Sequence, residues 1–444
     1  MLRKRKMVTV FAATLVLTLL VVFFGSITVA VSGQEKIEIT HWHQWTGIWT
    51  DILKRNAERF TEAQPNFKVK SVVVPEELGR KLLLAIASGT PPDLVSLTGL
   101  ENIMFAERGA LTPLETIIDP DRLDKIEKWG STLITEPNRY KGHLWALSPY
   151  VDAWTIYYNK KLFKEVGLNP DSPPLDIETL DRYAEKLTTY DAAGNIERMG
   201  FYPGWNPSWI VAFGGDFMKG ETVWFNKDPK AVAALEWIAS YSKKYGVGKV
   251  MSFQASIGEE RAGGIDPFIS GRKAMELQGN WFVKNIDKFA PEGFSYGVTP
   301  YFPYPPGGRK NALFVRSAYG AMAVPVGAKH PQGAVEYAIF RVGYGYEEER
   351  TQMSLIGGST VLSDSVYNHP AVVEFRKQFP QWEVFYKIIE ANNWTTLKTP
   401  VDGYLFDRLA SAVEYVQLLK KTPQEALDDA AAEVQKELNR ILSR

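Results

Sequence analysis

Hydrophobic and polar positions follow two different periods in the first part of the chain. Residues 37–42 alternate between the two kinds of position, as in a short strand. The apolar side chains of residues 49–60 then recur on one helical face until Pro65 ends the pattern. The next predicted elements are a strand at 67–74, a helix at 78–86 closed by Gly89, and a buried strand at 94–97. The order β-α-β-α-β is typical of a parallel, doubly wound sheet.

A similar alternation returns in the middle of the chain and leads into a series of helices. Two of these helices have strong N-terminal signals, because Asp228 precedes Pro229 and because Thr422 and Glu425 match a capping box. An apolar stripe along 427–441 predicts that the last helix packs on the core. The predicted elements are a strand at 154–158 and helices at 160–166, 177–187, 229–244, from 331 and from 422.

The N-terminal segment differs from the rest of the chain. Four basic residues at 3–6 precede an unbroken apolar run at 7–24, and small residues follow up to Gly33. This is the pattern of a secretory signal peptide over 1–33, although a run of that length could also stay uncleaved as a membrane anchor. Either outcome places the remaining chain in the periplasm or outside the cell. Without cysteine, the chain can have neither a lipid-modified cleavage site nor a disulfide.

Composition narrows the possible partners. A length of 444 residues is more than one domain usually has, so we expect two domains, and a hydrophobic content of 45% is enough to form their cores. The N-terminal segment holds four of the 51 basic residues and none of the 51 acidic ones, so the rest carries a net charge of −4. A slightly acidic protein is a poor candidate for binding nucleic acid. The 13 Trp and 20 Tyr favour a ligand with a flat apolar face and a hydroxylated edge.

The sequence lacks the motifs of several enzyme classes. It has no phosphate-binding G-x-x-x-x-G-K-[ST] loop, no dinucleotide-binding G-x-G-x-x-G after a strand, and no G-x-S-x-G nucleophile elbow. His41 and His43 could face the same way on a strand, but no third metal ligand accompanies them, so we expect a polar strand end. We therefore expect no catalytic residues, no metal and no cofactor. A pair of carboxylates for glycoside hydrolysis stays open, because only their separation in space identifies it.

Three stretches together carry a resemblance to a known family. They read ASGTPPDLVSL at 87–97, GHLWALSPYVDAWTIYYNKKLFKEVGL at 142–168, and FISGRKAMELQGNW at 268–281. In this order and at these spacings they resemble the extracellular solute-binding proteins of family 1, the maltose-binding-like receptors of carbohydrate ABC importers. The resemblance extends from about residue 37 to residue 441, which is nearly the whole exported chain.

This resemblance implies an α/β fold of the type II periplasmic binding protein kind, with two doubly wound lobes, a hinge and a central ligand cleft. Lobe 1 would comprise residues 37–149 and 315–354, and lobe 2 residues 150–312 and 368–444. The segment 316–324 would return the chain to lobe 1. The expected function is to capture a mono- or oligosaccharide between the lobes and deliver it to the membrane permease subunits of an ABC importer. The protein would act as a monomer, with hinge closure around the ligand.

Candidate ligand-binding residues lie at the carboxyl ends of the strands, where open α/β sheets bind ligands. Gln44 and Trp45 follow the first strand, Thr98 follows the third, and Trp281 follows the strand through Leu277. The family's binding positions match these places and also Tyr150, Asp152 and Tyr319. The remaining candidates are Glu101, Arg316 and the three loop tryptophans Trp205, Trp209 and Trp394, whereas Trp237 lies on a helix stripe and is predicted to be core.

Two other functions remain possible at this stage. A secreted glycosidase or lyase would need two carboxylates across a cleft, one of them with a raised pKa. A receptor for a peptide or glycerol phosphate would need clustered Arg or Lys, and Arg316 is the single basic candidate. The chain also departs from the family at Thr98, where relatives often have an acidic residue, and at 357–360, where Gly-Gly-Ser-Thr replaces a Gly-x-x-Pro turn. Both departures concern which sugar is bound.

Overall fold

The structure is a computed structural model. It describes residues 35–46, 48–97, 101–310, 312–314, 320–360, 362–391 and 394–443. The chain divides into the units Met1–Ile37 and Glu38–Arg444, and the second unit contains nearly all of the described residues. Among these residues, no helix combines the length and the apolar character needed to cross a membrane. The predicted signal peptide lies outside the described residues.

The described strands number fifteen. They are β1 (Ile37–His43), β2 (Phe67–Val73), β3 (Leu94–Leu97), β4 (Arg139–Tyr140), β5 (His143–Leu144), β6 (Trp154–Asn159), β7 (Thr189–Tyr190), β8 (Ile196–Arg198), β9 (Met218–Lys219), β10 (Thr222–Val223), β11 (Met275–Gly279), β12 (Tyr296–Val298), β13 (Leu313–Phe314), β14 (Ala321–Ala323) and β15 (Trp394–Thr395).

The α-helices within the same residues number seventeen. They are α1 (Ile48–Ala63), α2 (Leu78–Ala87), α3 (Glu101–Glu107), α4 (Pro120–Trp129), α5 (Lys160–Glu165), α6 (Ile177–Leu187), α7 (Ser208–Ala212), α8 (Pro229–Tyr245), α9 (Val247–Ala262), α10 (Phe282–Phe289), α11 (Pro331–Val342), α12 (Glu347–Gly357), α13 (Asp364–Tyr367), α14 (Pro370–Gln378), α15 (Pro380–Glu390), α16 (Asp402–Gln417) and α17 (Pro423–Leu442). Short 3-10 turns occur at Leu114–Thr116, Thr132–Ile134 and Glu136–Asn138.

The first sheet has the strand order β14-β3-β1-β2. Strands β1 and β3 are parallel, with His41 opposite Leu94, and β14 joins β3 in the antiparallel direction, with Ala321 opposite Leu97. All four residues of β3 are buried, as expected for a strand covered on both faces. The predicted β-α-β-α-β order of this part is confirmed, and β14 places the predicted return segment on the same sheet.

The second sheet has the order β11-β6-β12, and both of its pairings are antiparallel. Gly279 lies opposite Trp154 at the end where β11 leaves the sheet. The predicted strands at 154–158 and through Leu277 are therefore confirmed, as are the helices α5, α6 and α8. Helical segments separate the three strands along the chain, so no short hairpin fixes their relative directions.

Local signals set the ends of the later helices. The Asp228 carboxylate accepts the Lys230 N–H at the start of α8, and Thr422 and Glu425 form the predicted capping box of α17. Helix α17 packs mainly on α16, and its stripe from Leu427 to Leu438 is buried. The final helix is thus a core helix, as predicted.

A continuous apolar cluster connects the two sheets. It includes Ile39 and Phe60 beside the first sheet, Val151 and Ala153 between the sheets, and Tyr157 in the second. The segment Tyr150–Ala153, here called the crossing, therefore runs through the packed interior. The lobe boundaries predicted from the sequence remain a prediction.

Candidate ligand-binding site

The crossing is held in place by backbone hydrogen bonds on both sides. The Val151 N–H donates to Thr360 Oγ1 at 3.1 Å, and the Thr360 hydroxyl donates to the Val151 carbonyl. The Ala153 N–H donates to Asn280 Oδ1 at 3.1 Å, and the Asn280 N–H donates to the Ala153 carbonyl at 3.1 Å. All four residues are buried. Residue 152, between these two anchors, is therefore fixed at the backbone.

A glycine pair lies directly against this arrangement. Asn280 Nδ2 donates to the Gly358 carbonyl at 2.9 Å, and the Trp382 indole donates to the same oxygen at 3.0 Å. Gly358 has a φ of +62°, a conformation that residues with a Cβ atom rarely adopt. A Cβ atom at Gly357 would lie 3.0 Å from the Trp49 ring, and one at Gly358 would lie 3.5 Å from the Trp281 Cα. Gly357 thus lets the Trp49 ring approach the turn closely, and Gly358 provides the positive φ that the turn requires.

Five aromatic side chains surround the crossing. Trp49 stacks on Tyr150 with ring centroids 6.3 Å apart, and Trp154 meets Trp281 edge to face at 4.8 Å. A Cβ atom placed on Gly320 would lie 3.2 Å from both Trp45 and the Tyr150 hydroxyl. The four tryptophans are half-buried and Tyr150 is 7% exposed, so the indoles keep part of their surface open to a ligand. We call Trp45, Trp49, Tyr150, Trp154 and Trp281 the aromatic group.

Asp152 is the charged residue of the crossing. Its side chain is half-buried, and burial raises the pKa of its carboxyl to about 7. Among the described residues, no cation or hydrogen-bond donor offsets this cost of burial. A carboxylate that keeps unused acceptor positions beside aromatic rings can accept hydrogen bonds from ligand hydroxyl groups.

Comparisons with known proteins show the family of this chain. The sequence model of a family described as bacterial extracellular solute-binding protein matches residues 46–340. The chain belongs to this family.

Relatives of this solute-binding protein have names that refer to different solutes. The maltotriose-binding protein of Pyrococcus abyssi is 26% identical over 305 residues, which cover 65% of this chain and 61% of that protein. The sn-glycerol-3-phosphate-binding periplasmic protein of Salmonella paratyphi A is 23% identical over 445 residues, covering 91% of this chain and 94% of that protein. Family membership is thus shared by receptors named for a sugar and for a phosphate ester.

Solved structures resemble this protein over most of its length. CpMnBP1 with mannotriose bound has a TM-score of 0.76 and 26% identity, and the match covers 90% of this chain and 100% of that one. The maltose/maltodextrin-binding domain of Bdellovibrio bacteriovorus, bound to maltotriose, has a TM-score of 0.71 and 19% identity, with 91% and 100% covered. The type II periplasmic binding protein fold expected from the sequence is confirmed.

The structure brings together some of the predicted site residues. Trp45, Tyr150, Asp152 and Trp281 all lie at or beside the crossing. Gln44 and Glu101 instead meet in a groove of about 510 Å³ between α2 and α3. Three predicted residues, Thr98, Arg316 and Tyr319, lie outside the described residues.

The three predicted loop tryptophans differ in their surroundings. Trp209 belongs to helix α7 and has no exposed surface, because Trp237 and Phe302 pack on it at ring distances of 4.6 and 4.3 Å. It is a core residue, and we leave it out of the site. Trp205 is half-buried and its ring centroid lies 6.5 Å from that of Phe406. Trp237 is core, as predicted, and its indole donates to Asp181.

One further candidate, Trp394, is half-buried and forms part of β15, where it lies opposite Leu313 of β13. Its place in ligand binding remains a prediction, and the aromatic group is defined without it.

Two members of the aromatic group were not predicted. Trp49 was assigned to the buried face of the first helix, and Trp154 to the start of a strand. Both lie at the very beginning of an element, α1 and β6 respectively, close to the preceding loop. A large aromatic at the first positions of an element was the signal that could have identified them.

The two histidines of β1 lie in the interior. His41 Nε2 lies 2.8 Å from Ser96 Oγ, and His43 Nε2 lies 2.8 Å from Ser71 Oγ. Both imidazoles are buried, so the expected polar strand end is in fact an internal position. Within the described ranges, no three His, Asp or Glu side chains are grouped so that they could hold a metal ion.

Proposed function

We propose that this solute-binding protein captures a mono- or oligosaccharide beside the crossing and delivers it to the permease subunits of an ABC importer. The observation that carries the proposal is the combination of half-buried indole surface with the unpaired Asp152 carboxylate. Sugars present flat C–H faces, which stack on aromatic rings, and hydroxyl edges, which donate to carboxylates. Both requirements are met within one short stretch of the chain.

The names of similar proteins include both neutral sugars and a phosphate ester, and the charge of the crossing favours the sugars. Maltotriose and mannotriose occur in the names of similar proteins, and both are short neutral oligosaccharides. Glycerol 3-phosphate occurs as well, but it is an anion. The crossing presents a carboxylate, Asp152, which would repel a phosphate group. A neutral sugar is therefore the ligand class that we propose.

We further propose that the protein is exported, acts as a monomer and does not change its ligand chemically. Export follows from the basic and apolar pattern of residues 1–33, and the protein either stays attached through this segment or is released. Binding without chemistry is consistent with a family of solute-binding proteins.

Calorimetry of the purified protein against glucose, maltotriose, mannotriose and glycerol 3-phosphate tests the proposal. We expect saturable binding of at least one sugar and none of the phosphate ester. The Trp281→Ala substitution should weaken the binding of that sugar by about 1–3 kcal/mol, which raises its dissociation constant roughly 5- to 150-fold, because a half-buried stacking surface is lost. Chromatography of the recovered ligand should return it unchanged.

Trp224→Ala is the matched control. Trp224 is also half-buried, but it packs beneath Lys219 with the ammonium 3.6 Å from the ring centroid. This variant should bind the sugar as the wild type does. The proposal fails if no sugar binds, if the sugar is converted, or if both tryptophan variants lose the same affinity.

A further inference from the structure

Two buried arginines, Arg341 and Arg350, lie near the junction of α11 and α12, where a Cβ atom on Gly343 would be 2.5 Å from the Arg350 Cβ. Arg341 is 5% exposed and lies in the last turn of α11, and Arg350 is 2% exposed and lies in the first turns of α12. Arg350 donates to the Thr360 carbonyl and to Ser359 Oγ at 3.4 Å, both of which are neutral groups. Each arginine therefore carries a full charge in a place from which solvent is nearly excluded.

No carboxylate neutralises these two guanidinium groups. Among the described residues neither forms an ion pair, and none of the positions outside that part of the chain is Asp or Glu. Glu349 precedes Arg350 in the sequence but forms no ion pair with it, and three other acidic side chains near the two arginines along the helices have partners of their own. Glu336 accepts from Arg122, Glu347 from the Trp129 indole, and Glu348 pairs with His369. Buried charges in proteins are ordinarily paired, so this pair lacks a counterion.

The side chains around Arg341 can donate hydrogen bonds, but they are neutral and do not compensate its positive charge. Arg341 Nε and Nη1 and one ring nitrogen each of His41 and His43 are buried without a hydrogen-bond partner among the described residues, and the Tyr337 hydroxyl lies beside the Arg341 guanidinium. The rings lie close together, with His41 5.4 Å from His43 and 5.5 Å from Tyr337. Burial and the Arg341 charge lower the pKa of His43 to about 4, so the imidazole is neutral at pH 7. The cluster thus consists of donors around excess positive charge.

Helix ends do not balance this charge. The carbonyl end of α11 is equivalent to about half a negative charge, and the amide end of α12, near Arg350, to about half a positive one. The two contributions oppose each other. Bound water would satisfy the free N–H groups but would leave both charges uncompensated.

We propose that Arg341 and Arg350 hold a small monovalent anion of the halide class where α11 meets α12. His41, His43 and Tyr337 complete its surroundings as neutral donors. The anion supplies the negative charge that the folded chain lacks at this position, and it is a structural ligand separate from the solute in the cleft. The inference does not depend on what the cleft binds.

Chemical unfolding in potassium chloride, compared with potassium isethionate at the same ionic strength, tests this inference. General screening is equal in both salts because the ionic strength is the same. Isethionate is an organic sulfonate that is too large for a halide site, so chloride alone can bind there. At a chloride concentration ten times the dissociation constant, the ratio of folded to unfolded protein should rise about 11-fold, and the rise should saturate. Equal stability in the two salts would overturn the proposal.

Variants distinguish this site from general salt effects. Arg341→Met should abolish the chloride dependence and, in isethionate, should be at least as stable as the wild type, because it removes an uncompensated charge. Arg122→Gln, in the same lobe but paired with Glu336, should keep the full dependence. A chloride response that persists in Arg341→Met would place the anion elsewhere.

A crystal of the wild-type protein grown in bromide provides a second measurement, which does not require any variant to fold. Anomalous scattering should show a bromide ion bridging Arg341 and Arg350. Water alone at that position would refute the proposal.

Discussion

Protonation of Asp152 should weaken sugar binding as the pH falls. The ionised carboxylate accepts hydrogen bonds from ligand hydroxyls, whereas the protonated carboxyl has lost acceptor capacity. Because burial raises the pKa of Asp152 to about 7, this change falls in an accessible pH range instead of near pH 4. The affinity of the protein for its sugar should therefore depend on pH between 5 and 8.

The size of the effect follows from the raised pKa. At pH 8 most of the free protein carries an ionised Asp152, and at pH 5 about one molecule in a hundred does. If the sugar binds only the ionised form, the dissociation constant rises by roughly 100-fold between these limits, about 2.7 kcal/mol. Below pH 7 the affinity should fall about tenfold for each pH unit, and above pH 8 it should be constant.

Isothermal titration calorimetry at half-unit steps from pH 5 to pH 8.5 measures this profile. Asp152→Asn should bind more weakly at pH 8 and show no slope, because the amide does not titrate. Asp171→Asn is the matched control, since Asp171 is an exposed carboxylate paired with Lys160, and it should keep the wild-type slope. A flat wild-type profile, or a slope that survives in Asp152→Asn, would refute this account of the site.

Three further substitutions test the surrounding structure. Gly358→Ala should lower the free energy of unfolding by about 1–2 kcal/mol in urea titrations, since it forces a Cβ into a backbone with a φ of +62°; unchanged stability would mean that the turn relaxes freely. Thr422→Ala should cost about 1 kcal/mol by the same assay because the capping box with Glu425 is lost, and Thr422→Ser should restore most of it. Trp49→Ala should weaken sugar binding by about 1–3 kcal/mol in calorimetry, whereas a purely structural role would lower stability and leave the affinity of the folded protein unchanged.

Local patterns were sufficient to predict most of the elements. The alternation in β1, the buried run of β3 and the capping signals at Asp228 and Thr422 all act within a few residues, and all are found in the structure. The strand exit before Trp281 is also found, since β11 ends at Gly279, whereas ligand binding by Trp281 remains a prediction. These predictions succeeded where the deciding interactions are close in sequence.

Predictions that depended on tertiary packing were less complete. Trp209 was placed in a loop because Gly and Pro surround it, but the chain forms helix α7 there and buries the ring against Trp237. Trp49 follows the apolar period of α1, yet its ring is only half-buried and stacks on Tyr150 of the crossing. A hydrophobic period indicates which face of a helix is apolar, but it does not distinguish a core contact from a ligand surface.

The contacts around Asp152 show why such a site cannot be identified from one stretch of sequence. Thr360, which holds Val151, is 209 residues away along the chain, and Asn280, which holds Ala153, is 127 residues away. Neither partner has a local pattern that predicts this pairing. The physical requirement is nevertheless clear, because a buried backbone N–H must have a partner when the chain crosses the interior.

The same contacts link ligand recognition to the movement expected of this fold. Asp152 lies between two residues whose backbones are fixed by Thr360 and Asn280, while Asn280 also donates to Gly358 beside Trp281. A ligand that bonds Asp152 and stacks on Trp281 therefore contacts both ends of one hydrogen-bonded unit. A ligand shifts a conformational equilibrium only by its difference in affinity for the two states. We expect that difference to come from the aromatic surface of Trp45 and Trp49, since Trp49 stacks on Tyr150, and Trp45 and Tyr150 both flank Gly320.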